Sequence, residues 1–244
     1  MVIKLVKSFA MGVYYHVWEW VDYLLTVLLF YRKPGFALTD LLLQSTYFFS
    51  SADRLCFTYL QHQPEDQVQI WYGETPLRSF KTLCQAAQIS SEDHLFELGS
   101  GRGRLAFWAD RFVQCTVTGV EINPIFIARA QRIKRLFRRH KLRFLQTNIL
   151  DAPLAEATVI YLYGTAFEKP AWPRILHALQ QTRPGTRVIT VSKSLAEWGD
   201  TGHFALIHTH WISYVWGKAP VYIQTRVDHH DTITPAQCPN PERL

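Results

Sequence analysis

Cysteine is scarce and scattered in this chain of 244 residues. Cys56, Cys84, Cys115 and Cys238 form no C-x-x-C pair. That excludes a disulfide framework and a cysteine-rich zinc site, and it suits a reducing compartment. No G-x-S-x-G elbow and no P-loop lysine occur, so neither the matching hydrolase chemistry nor P-loop phosphate binding is expected. Internal repeats and low-complexity segments are lacking too. The first residues do not show the basic, apolar and small-residue order of a secretory signal, so a cytoplasmic location is expected. A long apolar run is also missing. The apolar core of the N-terminal segment, residues 23–31, is far shorter than the ~20 residues of a spanning helix. Extending it backwards brings in Asp22, Glu19 and His16. Histidines cluster only loosely, at His203, His208 and His210 and then at His229-His230-Asp231. His208 and His210 would share one strand face, but no third ligand is specified, so no metal is expected.

What the chain does have is a glycine-rich turn between two apolar strands. Leu95-Phe96-Glu97-Leu98 runs into Gly99-Ser100-Gly101-Arg102-Gly103, and a second apolar stretch ends at Gly119-Val120-Glu121. Glycine can take φ > 0, and its bare backbone lets a ligand lie against the main chain. An acid at the second strand tip can accept two hydrogen bonds from a ribose diol. The pattern predicts a nucleoside-bearing cofactor across the ends of a parallel sheet. The spacing is G-x-G-x-G, not the G-x-G-x-x-G of dinucleotide sites. Glu97 just before it would repel a pyrophosphate and suit a cationic amino-acid group.

Strand and helix signals alternate from residue 70 onward. Strands are expected over 94–98, 116–121, 142–146, 158–163 and 187–192, with a closing antiparallel pair over 210–216 and 221–227. Helices are expected over 75–87, capped by Thr75, and over 104–112, 124–139 and 172–181. This order implies a doubly wound α/β sheet with ligand at the strand C-terminal ends. The net charge of +6 gathers in the helix at 124–139 and just beyond, from Arg129 to Arg143. A solvated amphipathic face explains it simply; contact with nucleic acid or an anionic membrane is the sharper reading. Residues 1–60 are apolar and aromatic, read as helices through 13–31 and 37–49, and suit either a membrane interface or packing on the sheet.

The stretch from Glu97 to Gly103 with Glu121 resembles motif I of the class I S-adenosylmethionine-dependent methyltransferases. Further matches are Tyr72-Gly73-Glu74-Thr75-Pro76, Gly119–Pro124, Asn148-Ile149, Thr158–Tyr163 and Pro184-Gly185-Thr186-Arg187-Val188-Ile189. These resemble the branch holding small bacterial methyltransferases and the membrane-associated protein-lysine methyltransferases of ATP-synthase c subunit and adenine-nucleotide carrier. The resemblance implies a Rossmann-like sheet over 67–244 carrying a helical N-terminal appendage over 1–66. It implies S-adenosylmethionine as cofactor, held by Glu97, Gly99, Ser100, Gly101, Gly103, Glu121, Ile122, Asn148, Ile149 and Thr75. It also implies a protein lysine as acceptor, with Tyr163 and Tyr72 orienting the amine.

Two departures stand out. Arg102 takes a place where the branch usually has an acid, and it either points away from the cofactor or marks an altered pocket. Asn148 replaces the acid that meets the adenine amine, although its carbonyl can accept the same hydrogen bond. After the fourth strand the chain reads Tyr161-Leu162-Tyr163-Gly164 instead of the N-P-P-Y of many nucleic-acid amino methyltransferases. Nucleic acid is therefore disfavoured as a partner, and an anionic membrane surface stays open. The rivals are a nicotinamide-binding oxidoreductase, opposed by Glu97 and the glycine spacing, and a catalytically impaired methyltransferase-like interaction module, which Arg102 permits.

Overall fold

A computed structural model describes residues 2–62, 72–164, 167–214 and 217–228, with side chains from residue 14 onward except those of 15 and 16. Cys238 and residues 229–231 lie outside the described residues. Three helices come first: α1 (Val2–Phe30), α2 (Pro34–Ser45) and α3 (Ala52–Leu60). Then α4 (Leu77–Ala86), β1 (His94–Leu98), α5 (Arg104–Phe112), β2 (Thr116–Glu121), α6 (Pro124–Leu136) and β3 (Leu142–Gln146) alternate. β4 (Val159–Leu162), α7 (Trp172–Gln180), β5 (Arg187–Val191), β6 (Phe204–Tyr214) and β7 (Gly217–Arg226) complete the order.

The seven strands form one sheet in the order β3-β2-β1-β4-β5-β7-β6. The first five are parallel, and β7 runs antiparallel between β5 and β6. β1 and β4 sit in the middle, where helices cover both faces. They therefore read as nearly continuous apolar runs, and Leu95, Val159, Ile160 and Leu162 are fully buried. The order reverses around β1 and β4, so the crevice at their C-terminal ends is where a ligand is expected in such a sheet.

Several boundaries differ from the sequence reading for local reasons. α6 stops at Leu136, short of 139. Arg138 has φ 49, and the Arg138 and Arg139 amides donate back to the Arg135 and Lys134 carbonyls, a Schellman ending. Thr75 does not cap α4. That helix starts at Leu77 after Pro76, and the Thr75 hydroxyl is engaged instead with the Tyr161 hydroxyl. α3 was not anticipated, although Ser51 accepts from the Arg54 amide as its N-cap.

The N-terminal helices share the core of the sheet. Phe30, Phe36, Leu43, Tyr47, Ala52 and Cys56 belong to the same buried cluster as Leu95, Val117 and the α5 aromatics. Arg104 at the start of α5 grips Asp40 of α2 through two hydrogen bonds of 2.8 and 2.9 Å. The Tyr31 hydroxyl donates to the same carboxylate. Gln44 Nε2 adds a long fourth contact at 3.5 Å. Asp40 is 1% exposed, and its charge is tolerated because these donors satisfy it. The expected boundary near residue 66 falls in 63–71, outside the described residues.

Candidate active site

β1 carries Glu97 into the crevice and hands the chain to the glycine turn. Gly99, Gly101 and Gly103 have φ values of +77, +51 and +78°, which side-chain-bearing residues rarely adopt. The turn is tied to β2. The Gly99 and Ser100 amides both donate to the Val120 carbonyl at 2.9 Å. The Gly101 amide donates to Glu121 Oε2 at 2.9 Å, and the Asn123 amide donates to Glu121 Oε1 at 2.8 Å. Glu121 thus braces the turn. Burial raises its carboxyl above the usual range, against these amide donors.

Glu97 is buried beside it. Burial, and next the charge of Glu74, push its carboxyl well above the ordinary carboxylate range. Its Oε2 and the Ser100 Oγ are buried with no hydrogen-bond partner among the described residues. A buried acceptor left unmade is costly, so both atoms point to a ligand group. A cation with N–H donors fits Glu97.

Tyr72, Thr75, Glu97, Gly99, Ser100, Gly101 and Tyr163 line one cavity. In this conformation it holds about 30 Å³, about one water's share of liquid volume. The reason is Tyr72, whose Cε2 lies 2.9 Å from where a Cβ on Gly101 would stand. Its hydroxyl donates to Glu74. A nucleoside lying on Gly99 and Gly101 therefore needs the 72–74 segment to shift.

Arg102 is engaged by Glu74 of the 72–76 segment. Its Nε and Nη2 each lie 2.5 Å from the two oxygens of Glu74. Burial opposes ionisation of Glu74, but the Arg102 guanidinium overrides it and holds the carboxyl at about 2. The departure from the usual acid is thus absorbed by a planar two-bond pair.

Five sequence-derived residues do not line the cavity: Glu121, which braces the glycine turn, and Gly103, Ile122, Asn148 and Ile149. Gly103 faces the Phe144 ring of β3, 2.5 Å from a notional Cβ, and so serves the packing of α5 on the sheet. Ile122 follows Glu121 at the tip of β2. Asn148 accepts from the Leu150 amide at 3.0 Å and opens a short 3-10 turn that begins with the buried Ile149. Both stand beside Glu121, whose carbonyl accepts from the Thr147 amide.

Glu74, Arg104 and Tyr161 also line the cavity and were missed in the sequence. Tyr161 was findable, because residues 161 and 163 share one face of a strand. Tyr163 lies 3.5 Å from a notional Gly73 Cβ and meets Tyr214 edge-on at 5.8 Å.

A family model described as the ANTKMT methyltransferase domain matches residues 97–201. A protein-lysine N-methyltransferase of Saccharolobus islandicus is 26% identical over 144 residues, covering 58% of this chain and 83% of that protein. A histone-lysine N-methyltransferase of Caenorhabditis elegans, specific for H3 lysine 79, is 26% identical over 50% of this chain but only 15% of its own length. Among solved structures, an RNA methyltransferase from Salinibacter ruber in complex with S-adenosyl-L-homocysteine superposes with a TM-score of 0.53. It is 24% identical and covers 69% of this chain and 100% of that one; the likeness is one of fold.

Proposed function

We propose that this chain is a class I S-adenosylmethionine-dependent methyltransferase and that it methylates a lysine of a protein substrate. The observation that carries the cofactor assignment is the pair of unpartnered buried acceptors, Glu97 Oε2 and Ser100 Oγ, in the glycine-lined cavity. Glu97 would take the ammonium of the methionyl group, Glu121 the ribose hydroxyls, and Asn148 and Ile149 the adenine edge. When bound, the cofactor supplies an electrophilic methyl group on a sulfonium.

The protein's share is to bring up a neutral amine, align it and keep water away. Tyr72, Tyr161 and Tyr163 surround the place where it would stand. Burial raises the Tyr72 and Tyr161 hydroxyls well above their ordinary range. Both stay protonated at neutral pH, so they orient an amine by hydrogen bonding and are not bases. The lysine assignment is supported by the Saccharolobus relative and by the Tyr161-Leu162-Tyr163-Gly164 sequence after β4. The test combines two measurements. Calorimetry should show binding of S-adenosylhomocysteine and none of NAD. Protein from a lysate incubated with methyl-labelled cofactor should give methylated lysine after acid hydrolysis. Heat from NAD alone would reverse the cofactor assignment, and label on another residue would reverse the acceptor.

α1 supports a place at a membrane surface. It turns polar Asp22 and Thr26 inward, at 8% and 0% exposure, and apolar Val17, Leu24 and Leu28 outward, at 57%, 55% and 66%. Arg32 and Lys33 are exposed at its end. No helix among the described residues is long and apolar enough to cross a membrane, so the reading is an interfacial helix near anionic head groups. The full chain should float with anionic liposomes. The triple variant Val17→Ser/Leu24→Ser/Leu28→Ser should stay at the bottom of the gradient. Sedimentation of the unaltered chain would end this reading.

A further inference from the structure

A second, larger space adjoins the glycine-lined cavity. It is a cleft of about 820 Å³ between α1, the α2–α3 connection and the 72–76 segment. Tyr72, Gly73, Glu74, Thr75 and Arg104 line both spaces, so the two adjoin on opposite sides of these residues.

The lining runs against the character of the chain. The protein carries a net charge of +6, yet this cleft is lined by four carboxylates, Glu19, Asp22, Asp53 and Glu74, against two guanidinium groups, Arg102 and Arg104. Glu74 is matched by Arg102 and Asp22 by Arg78, so the excess of acid lies with Glu19 and Asp53 at the exposed mouth. Both guanidinium groups are held in two-bond pairs, Arg102 by Glu74 and Arg104 by Asp40 behind the wall. Neither is free to draw an anion. Asp22 is 8% exposed, and its Oδ1 makes no hydrogen bond among the described residues. Arg78 Nε stands 3.5 Å from it as an ion pair. Trp18 and Tyr23 add aromatic surface to the same wall. Aromatic faces and carboxylates together attract an organic cation.

We propose that this cleft is the acceptor entrance, receiving the cationic side chain of the substrate lysine between α1 and the 72–76 segment. The assignment rests on the lysine methyltransferase reading. It makes the N-terminal helices a substrate-recognition wall in addition to a core element. The carboxylates raise the local concentration of the ammonium form. The side chain then passes Glu74 and Tyr72 toward the tyrosine-lined cavity, giving up its proton to water in the open cleft, and reacts there as the neutral amine. A polyanion would be repelled along the same route.

The test uses the full chain loaded with S-adenosylhomocysteine and n-butylammonium as the probe, followed by saturation-transfer NMR. The unaltered protein should bind the probe and ignore 1-butanol, its neutral counterpart. In Glu19→Gln/Asp53→Asn, two exposed positions away from the glycine turn, probe affinity should drop about tenfold, the effect of roughly two partly screened charge pairs. S-adenosylhomocysteine affinity should be unchanged. Asp22→Asn gives an independent second variant with the same expected direction. Equal probe binding by the unaltered chain and both variants, or equal binding of 1-butanol, would overturn the proposal. Failure of the unaltered chain to bind S-adenosylhomocysteine, or label on a residue other than lysine, would instead overturn the activity on which it rests.

Discussion

Glu121→Ala should reduce S-adenosylhomocysteine affinity by about a hundredfold or more. Two amide donors, from Gly101 and Asn123, end on its carboxylate at 2.9 and 2.8 Å. Hydrogen bonds to a charged group are worth about 1.5–3 kcal/mol each, so alanine removes roughly 3–6 kcal/mol of bracing from the turn. It also takes away the acceptors proposed for the ribose. The two losses fall on one event, because the turn must be in place for a ligand to lie on it. Glu121→Gln keeps the volume and one oxygen acceptor and should fall between. Calorimetry on the purified variants, with circular dichroism to confirm the fold, measures the effect. Affinity unchanged in Glu121→Ala would remove the residue from the site.

Gly103→Ala should be the most damaging small substitution for stability. A Cβ there would stand 2.5 Å from Phe144 Cε1 and 2.7 Å from Cζ, on a backbone with φ +78°. The left-handed conformation costs a side-chain-bearing residue about 1–2 kcal/mol, and overpacking a tight core costs about 1–3 kcal/mol. Their combination is a large part of the roughly 5–15 kcal/mol that keeps a domain folded. The melting temperature should fall by roughly 10 °C, at about 2–4 °C per kcal/mol for a chain of this size. Gly103→Ala/Phe144→Leu should recover part of the clash but none of the backbone cost. The pair should therefore be less destabilised than the sum of its single changes. A Gly103→Ala protein that melts with the parent would show that Phe144 yields freely.

The same glycine shows why a motif underdetermines a site. The G-x-G-x-G spacing marked three equivalent positions in the sequence. In the structure Gly99 and Gly101 line the cavity, while Gly103 faces the β3 ring. Glu97 and Glu121 were legible because Glu97 stands one residue before the end of an apolar strand and Glu121 ends one, and strand-end position follows from local periodicity. Arg102 was legible only as an anomaly. Its partner Glu74 lies 28 residues earlier, and no local pattern joins them.

The strands β1, β2 and β3, the glycine turn, the acid at the tip of β2 and the helical character of the N-terminal segment were all written in the sequence. They depend on backbone preference and on apolar spacing within one element, and both are short-range. Tertiary structure alone decided the pairing of Arg104 with Asp40 across 64 residues and of Thr75 with Tyr161 across 86. It also decided that Tyr72 covers Gly101, and that α1 faces the cleft with Glu19 and Asp22 while turning Leu24 and Leu28 outward. α1 is apolar on most of its circumference, so its sequence does not say which side is buried. Only the packing of α2 and α5 against it selects a face, and with it the wall of the cleft.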